Sequence, residues 1–316
     1  MSEKCDLPLV SILINNYNYG RFLSEAIESA LNQTYPNIEV IIVDDGSTDN
    51  SREVIKAYGD RIKSILKENG GQASTFNAGF TASNGQIICF LDSDDQFIST
   101  KIMSVVDAFQ KHPEIGWYFH ELQFFGENIE QSHPEKTPDY SGIYDLQPCM
   151  ENGKLRGCLP FEVDTATSGI SFSRSLLEKI LPMPEVIRIT SDDYVKYAAL
   201  GSSTGFISFQ SLALQRIHGN NAYTARSNVG YLKAKIQFLT ANSLRKNFPK
   251  LSKFSNNLVA MGISISWWLK GVEDELQELL KDYLSTTTLR ETIEIYIKAG
   301  YYRFVRHYLN NIGFIR

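Results

Sequence analysis

Long apolar runs are missing from this 316-residue sequence. The longest near-continuous one, residues 258–269, has twelve residues, well short of the roughly 20 that cross a bilayer. Cysteine is also scarce, with four residues in the whole chain, too few for a disulfide framework. The first residues, MSEKCDLP, lack the basic and then apolar pattern of a secretory signal. These features exclude a membrane-spanning protein and favour a reducing, cytoplasmic location.

Charge is unevenly distributed, although the net value is only -5. Residues 1–225 contain 29 acidic and 17 basic side chains, whereas residues 226–316 contain 7 acidic and 14 basic ones. A strongly acidic segment repels bare polynucleotides, so nucleic acid is not an expected partner. The change near residue 225 predicts a domain of residues 1–225 followed by a C-terminal region of residues 226–316.

Short β-branched runs alternate with amphipathic segments in the first part of the chain, which predicts an α/β fold with strands joined by helices. Strands are expected at residues 9–15, 38–43, 62–66, 86–91 and 206–217, and helices at 20–33, 71–83, 174–180 and 191–200. Residues 120–160 are rich in Pro, Gly and charge, and are expected to form long loops or a hairpin. Helical periodicity dominates beyond residue 228, at residues 231–245, 258–270, 273–283 and 289–310.

Polar side chains stand at or just after the ends of three of these strands. These side chains are Asn15, Asn16, Asp44, Asp45, Asp92, Asp94 and Asp95. The carboxyl ends of parallel strands meet at one edge of a sheet, so these groups should lie together. Clustered carboxylates repel and raise one another's pKa unless a cation lies among them, and Mg²⁺ or Mn²⁺ prefers such oxygen ligands. A role as helix cap or turn former suits Asp49 better and stays open for Asp95.

Two stretches, VSILINNYNYGRFLSEAIESALNQTYPNIEVIIVDDGSTD and NGGQASTFNAGFTASNGQIICFLDSDD, resemble the N-terminal half of the family 2 glycosyltransferases. The resemblance is dense over residues 8–111, patchy to about residue 224, and adds nothing for residues 226–316. It implies the GT-A fold, a Rossmann-like mixed sheet with flanking helices, here with a C-terminal helical region. The activity that it implies is inverting transfer of a hexosyl-type sugar from a nucleotide sugar, with Mn²⁺ or Mg²⁺ as cofactor.

The resemblance also implies roles for residues that match the family's binding motifs. Asn15 and Tyr17 would line the nucleotide pocket, and Asp45 would accept a hydrogen bond from the base. Asp92 and Asp94 match the DxD motif, with Asp92 toward the ribose and the metal and Asp94 on the metal. A basic residue that the family places near the third strand has no clear match, because Asn69-Gly70-Gly71-Gln72 stands at that turn.

Further matches concern the transfer step. Asp192 and Asp193 match the family's acidic pair, and this match implies that Asp193 is the catalytic base, with Asp192 as the alternative. Acidic side chains at the start of a helix are also favoured by the helix dipole alone. Arg216 or His218 would neutralise the departing diphosphate, and His218 would also serve as a metal ligand. Gly169 would lie beside the donor sugar, where the missing side chain leaves room for the acceptor.

The partners are only partly specified. A uridine nucleotide suits the Asp45 match best, while thymidine and guanosine donors stay open. The acceptor, a saccharide or a lipid-linked one, is not indicated. Residues 295–316 mix aromatic side chains with four basic and no acidic ones. Such a segment either docks peripherally at the inner face of a membrane or packs as a helix on the body.

Two other function classes compete with this interpretation. A sugar nucleotidyltransferase should have a glycine-rich, basic loop after the first strand, where NNYNYGR stands instead. A non-catalytic nucleotide-sugar or carbohydrate-binding module should have lost the DxD motif or the acidic pair, and the sequence contains both.

Overall fold

The computed structural model describes residues 7–126, 140–154, 165–219, 229–269 and 274–311. The chain falls into two compact units. The first consists of Met1–Gln147 and Leu159–Asn220, and the second of Pro148–Cys158 and Asn221–Arg316.

A nine-stranded mixed sheet forms the centre of the first unit. Its strands are β1 (Val10–Asn16), β2 (Ile38–Asp44), β3 (Lys63–Leu66), β4 (Ile87–Asp92), β5 (Gln96–Phe97), β6 (Trp117–Gly126), β7 (Gly142–Tyr144), β8 (Ile170–Ser173) and β9 (Gly205–Ile217). They lie in the order β3-β2-β1-β4-β8-β6-β9-β5, with β7 paired to β9. The first four strands are parallel, and β8 is antiparallel to both β4 and β6. This is the mixed α/β sheet that was predicted.

Helices cover the sheet and form the second unit. They are α1 (Gly20–Leu31), α2 (Ser51–Ala57), α3 (Gln72–Ala82), α4 (Lys101–Lys111), α5 (Gln147–Glu151), α6 (Arg174–Ile180), α7 (Asp192–Leu200), α8 (Val229–Asn247), α9 (Ser252–Ser266), α10 (Asp274–Ser285) and α11 (Leu289–Asn311). Helix α1 shows why the first unit folds this way. Its side chains Leu23, Ala26 and Ile27 recur every three to four residues and are fully buried with Ile12 and Ile14 of β1 in one apolar cluster.

The second unit is helical, and its helices are joined by polar contacts as well as apolar ones. Helices α8 and α9 pack together, α11 packs on α9, and α10 packs on α8. Arg245 forms a two-pronged ion pair with Glu291, at 3.0 and 3.2 Å. The buried hydroxyl of Tyr283 donates to Asn256 at 2.7 Å. Within the described ranges of the chain, no helix has the length and apolarity needed to cross a membrane.

Most predicted elements lie within two residues of their observed positions, while β5, β7, α4 and α5 were not predicted. Helix α9 begins at Ser252 rather than at residue 258, because its first turns bury polar side chains that hydropathy does not detect, such as Ser255 bonded to the Leu251 carbonyl. Strand β6 continues to Gly126, into the stretch predicted as loop. Helix α2 begins at Ser51, and Asp49 accepts from the free Ser51 amide at 3.0 Å, which agrees with its predicted role as a helix cap or turn former.

The cysteines have different environments. Cys89, in β4, is a fully buried free thiol, as predicted for a small core residue. Cys149, in α5, is disulfide-bonded, which the cysteine content had not indicated.

The start of β9 depends on a glycine. A Cβ at Gly205 would lie 1.9 Å from the ring of Trp117, which is fully buried. Gly205→Ala is therefore expected to lower the free energy of unfolding by about 1–3 kcal/mol, the usual cost of overpacking a core. The matched control is Gly142→Ala in β7, where the nearest atom to a Cβ is 3.9 Å away. Equal denaturant midpoints for the two variants would contradict this packing account.

Candidate active site

Strand β1 lies between β2 and β4, and polar residues at the ends of the three strands are paired in register. Asn15 is in register with Asp92 of β4, and Asn16 with Asp44 of β2. The amide of Asn15 donates to Asp92 Oδ1 at 2.7 Å, and that of Asn16 donates to Asp44 Oδ1 at 2.8 Å. The carboxyl ends of these parallel strands therefore form one polar edge, with the asparagines between the acids.

Three aspartates after β4 form a buried acidic cluster. Asp94 and Asp95 are 8% and 2% exposed. Burial, together with the nearby carboxylates of Asp94 and Asp192, raises the pKa of Asp92 to about 7. Burial, with Asp94 and Asp92, also raises the pKa of Asp95 well above its usual range. The site therefore concentrates like charges that a bound cation would stabilise.

A single serine connects this cluster to the rest of the sheet. Ser168 Oγ donates to Asp95 Oδ2 at 2.6 Å and accepts from the Asp92 amide at 3.1 Å. Its carbonyl accepts from Lys101 Nζ at 2.9 Å. Lys101 is fully buried, and Nζ also lies 3.4 Å from the centre of the Phe97 ring. Burial lowers the pKa of the Lys101 amine to about 7, against the effect of the nearby Asp95 carboxylate, so this amine offsets only part of the charge of the acids.

Asp94 and His218 form a close pair. Asp94 Oδ2 lies 3.0 Å from His218 Nε2, and both side chains are 11% exposed. The imidazole packs against the rings of Phe22 and Tyr19, at centroid distances of 4.9 and 5.5 Å. Burial raises the pKa of Asp94, and the hydrogen bond from His218 acts in the opposite direction. The aromatic rings fix the imidazole with one nitrogen toward the carboxylate.

Asp94 Oδ2 and His218 Nε2 are 3.0 Å apart, which is the distance of the hydrogen bond between them, and the two atoms would both ligate one divalent ion once Nε2 has lost its proton. Neighbouring ligands of an octahedral Mg²⁺ with bonds of about 2.0–2.1 Å lie about 3 Å apart. Among the described residues, no group of three His, Cys, Asp or Glu side chains is arranged as a metal site. Asp92, the third predicted ligand, has Oδ1 bonded to Asn15. The protein would therefore supply two ligands and leave the others to phosphate and water, as is common for this ion.

Arg216 bonds to the loop that contains Asp94 and Asp95. Its amide donates to Asp95 Oδ1 at 2.9 Å, and Nε donates to the Asp94 carbonyl at 3.0 Å. Nη2 forms an ion pair with Glu25 at 2.6 Å, and the guanidinium lies over the rings of Phe22 and Phe125. These contacts position the loop, and the role of Arg216 in neutralising a diphosphate stays a prediction.

A different arginine is exposed at this edge. Arg21, in the first turn of α1, lies with Nη2 3.4 Å from His218 Nδ1 and with its guanidinium over Phe22. In the part of the chain that the structure describes, no carboxylate lies within ion-pair distance of it. The sequence signal was available, since Arg21 follows the NNYNYG segment directly after β1.

Asp45 is buried at the end of β2, and three protein donors bind its carboxylate. Its carboxylate accepts from Lys67 Nζ at 2.7 Å and from the amides of Gly70 and Gly71 at 2.8 and 2.7 Å. Lys67 follows β3 directly and was not among the predicted site residues. Tyr17 follows β1 and is 49% exposed, so one aromatic face is accessible.

The acidic pair begins α7. Lys196, one turn on, lies 3.2 Å from Asp192 and 3.1 Å from Asp193. Burial alone would lower the pKa of Lys196, but the two carboxylates raise it. The Asp193 side chain is 28% exposed and that of Asp192 10%. Gln72 ties this helix to the sheet, because it accepts from the Ser191 amide and donates to Thr167 Oγ1.

Gly169 is buried beside this cluster. A Cβ there would lie 1.8 Å from Thr165 Oγ1 and 2.8 Å from the His120 carbonyl. The space beside Gly169 is therefore filled by protein atoms, so the prediction that the missing side chain leaves room for an acceptor is wrong, and the glycine instead permits the close approach of Thr165 and the His120 carbonyl.

Comparison with known proteins gives a consistent result. Residues 11–181 match the model of the family described as glycosyl transferase family 2. An uncharacterised glycosyltransferase of Nostoc sp. is 38% identical over 234 residues, which cover 72% of this chain and 71% of the relative. One from Rickettsia prowazekii is 41% identical over 111 residues, 35% of each chain. In fold, the chain is similar to residues 1–349 of S. aureus TarS, solved with UDP, with a TM-score of 0.60, 16% identity and coverage of 89% and 82%.

The raised pKa of Asp92 predicts a pH-dependent stability. Its folded-state pKa, about 7, exceeds the unfolded value of about 3.9. Its ionisation therefore lowers stability as pH rises from 4 to 7, and the cost is full above pH 7. In metal chelator, Asp92→Asn should raise the free energy of unfolding at pH 8 by on the order of 2 kcal/mol, and the gain should vanish near pH 4.

The control for this titration is Asp60→Asn, a change at an exposed acid. Denaturant unfolding from pH 4 to 8 measures both variants. A gain for Asp92→Asn that did not vary with pH would show that charge is not the cause.

Proposed function

The chain belongs to the glycosyl transferase family 2, and from that membership and the site geometry we propose that it transfers a sugar by inverting single displacement. The donor is a nucleotide-diphosphate sugar, and the acceptor is a hydroxyl of a saccharide or lipid-linked molecule in polysaccharide, cell-envelope or glycoconjugate synthesis. In one step the acceptor oxygen bonds to the anomeric carbon and the bond from that carbon to the diphosphate breaks. The acceptor proton passes to a protein carboxylate.

The Asp94–His218 pair is the observation that carries this proposal. Its 3.0 Å spacing, beside Asp92 and Asp95 with raised pKa values, suits a divalent cation and, through it, an anionic ligand. A bound Mn²⁺ or Mg²⁺ would supply charge stabilisation for a departing diphosphate. The packing of His218 on Phe22 and Tyr19 keeps its ring in place for that role.

Asp193 is the proposed base. Of the two acids at the start of α7 its side chain is the more exposed, which allows contact with an acceptor. Lys196 holds both carboxylates, and Gln72 fixes the preceding turn, so the base is oriented before substrate binds. Asp192 is the alternative, and its charge already acts on Asp92.

The proposed nucleotide pocket lies at the ends of β1, β2 and β3. The exposed ring of Tyr17 can stack on a base, and Asn15 and Asp45, at the ends of β1 and β2, provide polar groups. A uridine nucleotide is the proposed donor, supported by the UDP complex of TarS, which shares the fold. Lys67 would take part in this pocket by holding Asp45 in position.

A non-catalytic nucleotide-sugar or carbohydrate-binding module is the second candidate. The transferase and the binding module would share the donor pocket. They would differ at α7, because only the transferase needs a partly exposed acid that accepts a proton. Asp193 with its Lys196 partner favours the transferase.

The decisive experiment compares Asp193→Asn with Asp192→Asn. A thermal-shift panel of UDP, GDP and dTDP sugars with and without Mn²⁺ first identifies the donor. Asp193→Asn should then bind that donor within about twofold of wild type and lose 10²–10⁴-fold in turnover, the usual contribution of a base. Transferase activity that survives in Asp193→Asn and disappears in Asp192→Asn would move the base by one residue. Donor binding without any turnover by the wild-type protein would favour the binding module.

Arg21 is proposed as a cation for the departing diphosphate, alongside Arg216. A charge-assisted hydrogen bond contributes about 1.5–3 kcal/mol, so Arg21→Met should weaken UDP binding by roughly 10- to 100-fold and leave uridine binding unchanged. Isothermal titration with both ligands measures the difference. Arg61→Met, at another exposed arginine, serves as control. Arg21→Met that binds UDP like wild type would leave the role to Arg216 alone.

A further inference from the structure

Helix α11 has two apolar sides. Ile295 and Ala299 are fully buried where the helix packs on α9. The other side carries six exposed residues, named here the outer face, which are Leu289, Ile293, Tyr296, Ile297, Tyr301 and Phe304. Their exposed fractions range from 41% for Tyr296 to 78% for Leu289. The sequence left open whether this segment packs or docks, and the structure shows packing on one side and an exposed apolar surface on the other.

The outer face is a continuous stripe. Its residues follow one another at spacings of mostly three or four, which places them on one side of an α-helix. From Leu289 to Phe304 the stripe extends about 22 Å at 1.5 Å per residue. Exposed apolar surface of this extent is uncommon in monomeric proteins and marks an interaction site.

Two tryptophans add to this surface. Trp267 and Trp268, just after α9, are 38% and 46% exposed. The guanidinium of Arg303, on α11, lies 5.6 and 5.7 Å from their ring centres. Tryptophan, tyrosine and arginine are the side chains enriched where a protein meets the head groups of a bilayer.

The charge around the outer face is positive. Residues 226–316 contain 14 basic and 7 acidic side chains, and five of the seven acids lie in residues 273–282. The other two, Glu291 and Glu294, are on α11 and are paired with Arg245 and Arg290. Arg303 follows with no further acid on the helix, whereas Lys298 bonds to Asn257 of α9 on the packed side. An anionic surface complements this charge, whereas a second copy of the chain would bring the same positive charge against it.

We propose that the outer face of α11, with Trp267, Trp268 and Arg303, docks on the surface of a bilayer that contains anionic lipid. The apolar and aromatic side chains enter the head-group region while the helix lies parallel to the membrane plane. The basic side chains add electrostatic attraction that depends on salt. This inference concerns the second unit and does not depend on the proposed sugar transfer.

Vesicle co-sedimentation of the full chain tests the proposal. The wild-type protein should sediment with vesicles of phosphatidylcholine and phosphatidylglycerol, should sediment at least tenfold less with phosphatidylcholine alone, and should be released by high salt. Ile297→Glu combined with Phe304→Glu should reduce binding at least tenfold, because it places charge in the apolar stripe. Val186→Glu changes another exposed apolar residue, in the first unit, and should bind like wild type.

Tryptophan emission provides an independent signal. The chain has three tryptophans, and Trp117 is fully buried, so a blue shift on adding anionic vesicles reports Trp267 and Trp268. Circular dichroism and thermal unfolding check that each variant is folded.

Three results would overturn the proposal. One is no binding to anionic vesicles, and another is equal binding by the double-glutamate variant and wild type. The third is a dimer in sedimentation velocity, lost in that variant, without vesicle binding, which would make a second copy the occupant of the outer face.

Discussion

The repulsion among acidic side chains at the end of β4 is the constraint on which the site depends. The parallel register of β1 with β2 and β4 brings the strand ends to one edge, and burial then removes water from Asp92, Asp94 and Asp95. Each therefore has a raised pKa. The surrounding protein holds these carboxylates together, and a ligand that brings positive charge stabilises the cluster most.

Hydrogen bonds from three residues hold the cluster in place. Ser168 bonds to Asp92 and Asp95, the buried amine of Lys101 bonds to the Ser168 carbonyl, and Arg216 bonds to the main chain at Asp94 and to the side chain of Asp95. None of these groups needs to contact a substrate. Together they leave Asp94 beside His218, at the spacing of two ligands of one cation, and so link the order of the sheet to the proposed chemistry.

The elements of the α/β unit were predictable because apolar runs and turn residues are local signals. The DxD aspartates and the pair at Asp192 were predictable as well, since they directly follow a strand or begin a helix. The missed features are long-range. Lys67 reaches Asp45 across a strand end, and Arg216 pairs with Glu25, which lies 191 residues earlier. No local pattern shows which of two arginines stays exposed, so Arg21 was identified only from the folded arrangement.

The central claim is that Asp94 and His218 hold one divalent cation together with a donor diphosphate. Anomalous diffraction at the manganese edge, from crystals grown with UDP and Mn²⁺, tests it most directly. The account predicts a single strong peak bonded to Asp94, to His218 Nε2 and to oxygens of both phosphates. A peak elsewhere, or bound UDP with no manganese between its phosphates and Asp94, would contradict it.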